Sequence, residues 1–299
     1  MKTVKASMMN AIHDLPLLVA RDEGFFRDQG LDVEIIKTPG SGQKDSDHQA
    51  LRSNIFDRTM EALYEQGACD QFRMCEWGIM KRAVESNVEK GHRPAKIVAL
   101  GSAMSTFAVV TDPKAGIYEP EQLKNKPIGV SPFNGSHFTT LKLLEGFLKR
   151  EQINTTFAGT MRERIEALKR GEVAAISLME PWISVAEKQG LRVLMESHST
   201  RSEAAGDELD GATLHKMFLA EAEAARAIDK NPAKYAHYLV AEAGGMLELK
   251  DLKLARILNA PPEPYTRERF QHTYEWTRDW GLVPSGATYE NTVDNRAWQ

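Results

Sequence analysis

The stretch HDLPLLVARDEGFFRDQGLDVEII, residues 13–36, is where the fold is read. Leu15, Leu18, Val19, Phe25 and Phe26 fall near helical spacing, and Gly30 supplies a C-terminal stop. Leu31 to Ile36 then alternates like a half-buried strand, and Thr3 to Met8 ahead of the helix is strand-like as well. A strand, a helix and a second strand in that order open an α/β fold.

Outward from there the alternation continues. Lys96 to Leu100, Phe107 to Thr111, Pro127 to Val130 and Ala174 to Leu178 are short β-prone runs. Between them, Leu141, Leu144, Phe147 and Leu148 mark one amphipathic helix and Met161 to Leu168 another. Pro39 to Asp47 is rich in Gly, Ser, Lys and Asp and reads as a loop and candidate lid, followed by a helix-like stretch from about Asn54 to Tyr64. Arg201 to Gly211 is acidic and rich in small residues, and the rest of the C-terminal third reads as nearly all helical.

The chain of 299 residues is long enough for two core-bearing lobes. Its 38 Lys plus Arg against 42 Asp plus Glu are interleaved without a basic block, which argues against a nucleic-acid partner. No apolar run approaches the roughly 18 residues that span a bilayer, so no membrane insertion is expected. The strand-like start shows no secretory leader, which points to the cytoplasm as the sequence stands, or to the periplasm if a leader has been removed. Cys69 and Cys75 are the only cysteines and suit neither a disulfide framework nor a metal site; no metal or cofactor is expected.

Ser131-Pro-Phe-Asn-Gly-Ser-His137 is a polar loop between a strand and a helix, where unpaired backbone N–H groups favour an anion. Gly135 permits close approach, and Ser131, Asn134, Ser136, His137 and Thr139 bring polar side chains. An ordinary N-cap loop explains the same residues. Asn10 and His13 stand at the end of the first strand, where open α/β sheets present ligand-facing residues.

Residues 13–36 resemble the opening of the thiamine-pyrimidine-synthesis and sulfonate-binding proteins, the NMT1/THI5-like and SsuA-like families. LKNKPIGVSPFNGSHFTTLKLLEGFL at 123–148, IEALKRGEVAAISLMEPWISVAEKQG at 165–190 and YEWTRDWGLVP at 274–284 agree with that pattern in order and spacing. The resemblance implies a two-lobe type II periplasmic-binding-protein-like fold with a ligand cleft between lobes and two hinge crossovers. Lobe one would comprise residues 1–102 and 197–299, and lobe two residues 103–196.

The resemblance also implies that Glu76 and Trp77 face the ligand from one lobe and Glu180 and Trp182 from the other. Two inward carboxylates would repel a purely anionic ligand, an objection that Lys44, Arg52 or Arg58 in or after the candidate lid could offset. The favoured reading is a substrate-binding protein for a small organic anion, a sulfonate or carboxylate with an aromatic body as one option, that hands its ligand to an ABC importer permease if exported. The alternative is a cytosolic, cofactor-independent enzyme on the same fold, a decarboxylase or desulfinase, with His13, Glu76 and Cys75 as its catalytic candidates. A ligand sensor that recruits a protein partner is a third reading.

Overall fold

A computed structural model describes residues 1–38, 60–88 and 91–299. They divide into two compact units. The first comprises Met1–Met104, Thr200–Tyr235 and Asn259–Gln299; the second comprises Ser105–Ser199 and Ala236–Leu258. Residues 236–258, expected with the first lobe, thus group with the middle of the chain. The candidate lid and its Lys44, Arg52 and Arg58 lie outside the described residues, and the helix expected after it is described from Met60.

In the first unit, β1 (Lys2–Met8) pairs in parallel with β2 (Leu31–Lys37) along its whole length, Val4 opposite Val33. The alternation seen in residues 31–36 is real: Leu31 and Val33 are buried and Asp32 and Glu34 exposed. Helix α1 (Leu15–Asp22) connects the two strands, opened by Pro16 in its first turn, where a missing N–H costs no hydrogen bond. Gly24 follows with φ +87°, a left-handed turn that a side chain would strain. Helix α2 (Met60–Glu65) precedes β3 (Gln71–Cys75), which runs directly into α3 (Glu76–Val88). β3 lies beside β1 in parallel and pairs antiparallel with the end of β8 (Arg192–Ala205), Cys75 opposite Arg201. Arg201 to Ala205, noted in the sequence for acidic and small residues, is therefore the end of a strand.

In the second unit, β4 (Lys96–Thr111) ends beside β7 (Ala175–Met179), and β5 (Pro127–Val130) lies between β7 and β6 (Asn154–Phe157) with both neighbours parallel. Gly129 in β5 is required by packing, since a Cβ there would come within 2.9 Å of the Ala158 methyl and 3.2 Å of Ile176. Helices α4 (Gly135–Leu144), α5 (Met161–Lys169) and α6 (Trp182–Lys188) follow β5, β6 and β7. Val109, Ile128, Val130, Leu144 and Ala175 form this unit's core. The long helix α7 (Gly211–Lys230) and the later α8 (Arg267–Asp279) belong to the first unit. No described helix is long and apolar enough to cross a membrane.

Candidate functional site

Because β1 and β3 are parallel, their C-terminal ends open onto one edge of the first unit. The chain turns after β1 around Asp14, whose Oδ2 accepts the N–H groups of Met9 (2.8 Å) and Asn10 (3.3 Å); the Asn10 carbonyl oxygen Oδ1 accepts the N–H of His13 at 3.0 Å. His13 is 1% exposed, and Arg201 Nη1 stands 3.1 Å from its Nδ1. A guanidinium only donates, so Nδ1 accepts and the ring proton resides on Nε2. Burial first, and the Arg201 charge second, hold the His13 pKa well below its ordinary 6.5. The ring is a neutral imidazole.

Glu76 begins α3, and its carboxylate is surrounded by donors. Arg269 Nε and Nη2 donate to its two oxygens at 2.7 Å each, Tyr265 donates at 2.8 Å, Thr273 at 2.9 Å and Thr200 at 2.8 Å. Burial pushes this carboxyl up, but the Arg269 bonds and charge outweigh it and leave the pKa below 4.5. A base needs the opposite shift. Trp77 is partly buried, its ring centroid 5.7 Å from that of Trp276. Cys75 is 3% exposed, and burial pushes its thiol up to about 11, which suits a packed side chain and not a thiolate nucleophile.

Beneath this edge lies a buried charged cluster that the sequence reading missed. Arg73, in the middle of β3, donates to Glu221 at 3.0 Å and Glu203 at 3.3 Å, and its Nε is 3.8 Å from Asp14. Ser102 donates to Glu221 at 3.0 Å, and Gln71 donates to Glu203. Arg201 donates to the Arg73 carbonyl at 2.9 Å and lies 3.8 Å from Asp14. Burial raises the Glu203 pKa well above 4.5 and the Asp14 pKa above 3.8, each against opposing arginine charge. Neighbours on β8, Thr200 and Arg201, thus tie Glu76 and His13 into one framework.

In the second unit, the parallel register Val130 opposite Phe157 and Gly129 opposite Ile176 aligns the C-terminal ends of β5, β6 and β7. The 131–137 loop leaves β5 at this edge. Asn134 caps α4 by accepting the Gly135 N–H at 2.6 Å, and Ser136 Oγ accepts the Ser131 N–H at 3.0 Å. Phe133 holds φ +55° with its ring 44% exposed, and its N–H donates to His137 Nδ1 at 3.2 Å. A left-handed phenylalanine costs on the order of 1–2 kcal/mol. The backbone donor also fixes His137 with its proton on Nε2, and burial lowers this ring's pKa below 6.5. His137 is thereby a neutral donor in the first turn of α4.

Glu180 directly follows β7. It is 1% exposed and accepts from Ser184 Oγ (3.1 Å), the Ser184 N–H (3.3 Å) and Arg256 Nη1 (3.1 Å), while burial raises its pKa above 4.5. Arg256 also reaches Glu187 at 2.7 Å and Glu196 at 2.7 Å. Trp182, the first residue of α6, is partly buried. The structure therefore gathers Asn10, His13, Glu76 and Trp77 at one edge of the first unit, and Ser131, Asn134, Gly135, Ser136, His137, Glu180 and Trp182 at one edge of the second. Arg73, Arg201, Arg256 and Arg269 position these groups and were not singled out from sequence. Among the described residues no group of three or more His, Cys, Asp or Glu is arranged to hold a metal ion.

The profile of the family described as NMT1/THI5 like matches residues 12–51. No curated protein matches the chain. Among solved structures, the chain is similar to the alkanesulfonate-binding protein SsuA from Xanthomonas axonopodis pv. citri bound to MOPS, with TM-score 0.69, 14% identity and 95% of each chain covered. It is similar to the periplasmic nitrate-binding protein NrtA from Synechocystis PCC 6803, with TM-score 0.72, 14% identity, and coverage of 100% of this chain and 87% of that one. The desulfurization enzyme DSZB matches with TM-score 0.64 and 12% identity over 99% of this chain and 98% of that one. The chain has the periplasmic-binding-protein fold. At these identities, that fold hosts both binding proteins and an enzyme.

Proposed function

We propose that the chain is a substrate-binding protein for a small organic anion, a sulfonate or a carboxylate, engaged at the C-terminal edge of β5, β6 and β7. The observation that carries this reading is the state of the two carboxylates expected to repel such a ligand. Glu76 is spent on Arg269 and Glu180 on Arg256 and Ser184, so neither presents a free negative charge. What the second unit offers at that edge is the 131–137 loop, the first turn of α4 and the neutral donor of His137.

Binding is favoured over turnover by the side chains themselves. The three catalytic candidates are a neutral buried imidazole, a carboxylate with a lowered pKa and a thiol pushed up to about 11. None is poised to exchange a proton or attack near neutral pH. Delivery of the ligand to an ABC importer permease is the physiological role this reading implies.

The test is thermal stabilisation against a panel of sulfonates, aromatic carboxylates and nitrate, with each stabilising compound analysed by mass spectrometry afterwards. A ligand at 100 times its dissociation constant adds about 2.7 kcal/mol. Saturable stabilisation by an organic anion recovered intact supports the proposal. Conversion of the compound establishes an enzyme, and a panel without effect removes the anion reading.

A further inference from the structure

Five arginines are buried among the described residues: Arg73, Arg82, Arg164, Arg201 and Arg256. Four have a carboxylate within 4.0 Å: Arg73 has Glu221 at 3.0 Å, Arg82 has Glu65 at 2.6 Å, Arg201 has Asp14 at 3.8 Å and Arg256 has Glu187 at 2.7 Å. Arg164, 3% exposed on the first turn of α5, is the exception among the described residues. Its guanidinium meets only backbone carbonyls, Nε donating to Gly159 at 3.1 Å and Nη1 to Ser177 at 2.9 Å. The neighbouring Glu163 carboxylate is turned to the Thr160 N–H at 2.7 Å, closing the capping box of the helix. A buried charge normally persists only with a counter-charge, and a cation in the first turn of a helix also opposes the local dipole.

The position of this charge is informative. Gly159 follows β6 and Ser177 lies in β7, the two neighbours of β5. Ser177 follows Ile176, which is opposite Gly129, so it stands level with Val130, the last residue of β5. Ala158 donates to the Val130 carbonyl at 3.4 Å. Arg164 is therefore held across the end of the strand from which Ser131 and the 131–137 loop emerge.

We propose that Arg164 is the counter-charge for the anionic group of the ligand bound at this edge. The inference rests on the proposed binding function and adds to it the residue that selects charge. Recognition divides between one guanidinium that supplies the net attraction and neutral donors from the loop that orient the group. Burial, which pulls the Arg164 pKa down to about 10, leaves the group charged at neutral pH.

The test compares wild type with Arg164→Met and Arg164→Lys, using inorganic sulfate, methanesulfonate and benzoate as probes at constant ionic strength. Each variant is first melted without probe. R164M removes a buried charge that only the neighbouring Glu163 charge offsets, while it frees the Gly159 and Ser177 carbonyls, so R164M should melt near the wild-type temperature. It should bind the wild type's best probe about 30-fold or more weakly, with R164K intermediate. R164M that is folded and binds with wild-type affinity overturns the inference and leaves the binding reading standing. R164M that melts far below wild type also overturns it, since Arg164 would then be a structural tie between Gly159 and Ser177. A wild type that responds to none of the probes overturns the binding reading and the inference with it.

Discussion

Arg269 grips Glu76 in a two-pronged pair, Nε to Oε1 and Nη2 to Oε2 at 2.7 Å each, and Tyr265, Thr273 and Thr200 donate to the same carboxylate. Glu76 thus fastens the start of α3 to α8 and β8. Glu76→Ala would leave a guanidinium and three hydroxyl groups without their acceptor, and we expect a loss of about 3–5 kcal/mol in urea unfolding. Glu76→Gln keeps one acceptor and should lose less. If Glu76→Ala is as stable as wild type and alters only ligand binding, Glu76 belongs to the site after all.

The same residue sets an acid limit. Its folded pKa lies below 4.5, so the unfolded state binds the proton first as pH falls. The Glu76 contribution is complete above about pH 4.5 and is lost as pH falls through the folded value. Stability measured between pH 6 and pH 3 should drop more steeply in wild type than in Glu76→Gln. Equal slopes would show that the Arg269 pair is not formed in solution.

Cys69 and Cys75 are both buried, and burial raises each thiol to about 11. Neither should react with a disulfide reagent in the native protein on the timescale of a free thiol, and both should react once the chain is unfolded in guanidinium. Rapid native labelling of Cys75 would restore it as a nucleophile.

Much of the fold was legible because it is written locally. The spacing of Leu15, Leu18 and Val19 and the alternation of Leu31 to Ile36 follow from neighbours within a few residues; the strand is where the pattern puts it, while the helix ends at Asp22 and Phe25 and Phe26 open a separate turn after Gly24. The charged framework is not local. Arg73 sits in QFRMC, and its partners Glu203 and Glu221 are 130 and 148 residues away; Arg201 meets His13 across 188 residues. Nothing in a window around Arg201, acidic and rich in small residues, reveals a buried strand end. Glu76 and Glu180 were placed at the right strand ends, but their arginines, Arg269 and Arg256, lie 193 and 76 residues downstream. A charged residue inside an apolar run, as in β3, is the one signal that could have prompted a search for distant partners.

In that framework three carboxylates, Asp14, Glu203 and Glu221, face two guanidinium groups, Arg73 and Arg201. Burial raises the Glu203 pKa well above 4.5, and the nearby Glu221 charge adds to the rise. A carboxyl so raised stabilises the fold when protonated, and its contribution falls as pH rises from about 4.5 through the folded value. Glu203→Gln, which mimics the neutral acid, should therefore be at least as stable as wild type at pH 7, with a gain of about 1 kcal/mol and a flatter alkaline limb. A loss of several kcal/mol at pH 7 would show that the ionised form is the one Arg73 requires.

His13 carries the opposite consequence on the acid side of neutrality. The native ring stays neutral because it is buried and accepts from Arg201, whereas in the unfolded chain it takes up a proton near pH 6.5. The unfolded state then binds more protons, so stability is lost as pH falls from about 6.5 towards the folded pKa, with a slope of up to about 1.4 kcal/mol per pH unit. His137 contributes in the same direction through its own burial. His13→Asn places an amide oxygen near the Nδ1 position and cannot titrate, so it should remove its share of the slope between pH 7 and pH 5 while leaving that of His137. The double variant with His137→Asn should flatten the limb further. Chemical unfolding at intervals across that range decides it, and an unchanged slope in His13→Asn would mean that the imidazole is already protonated in the native protein and that Arg201 does not stand against Nδ1.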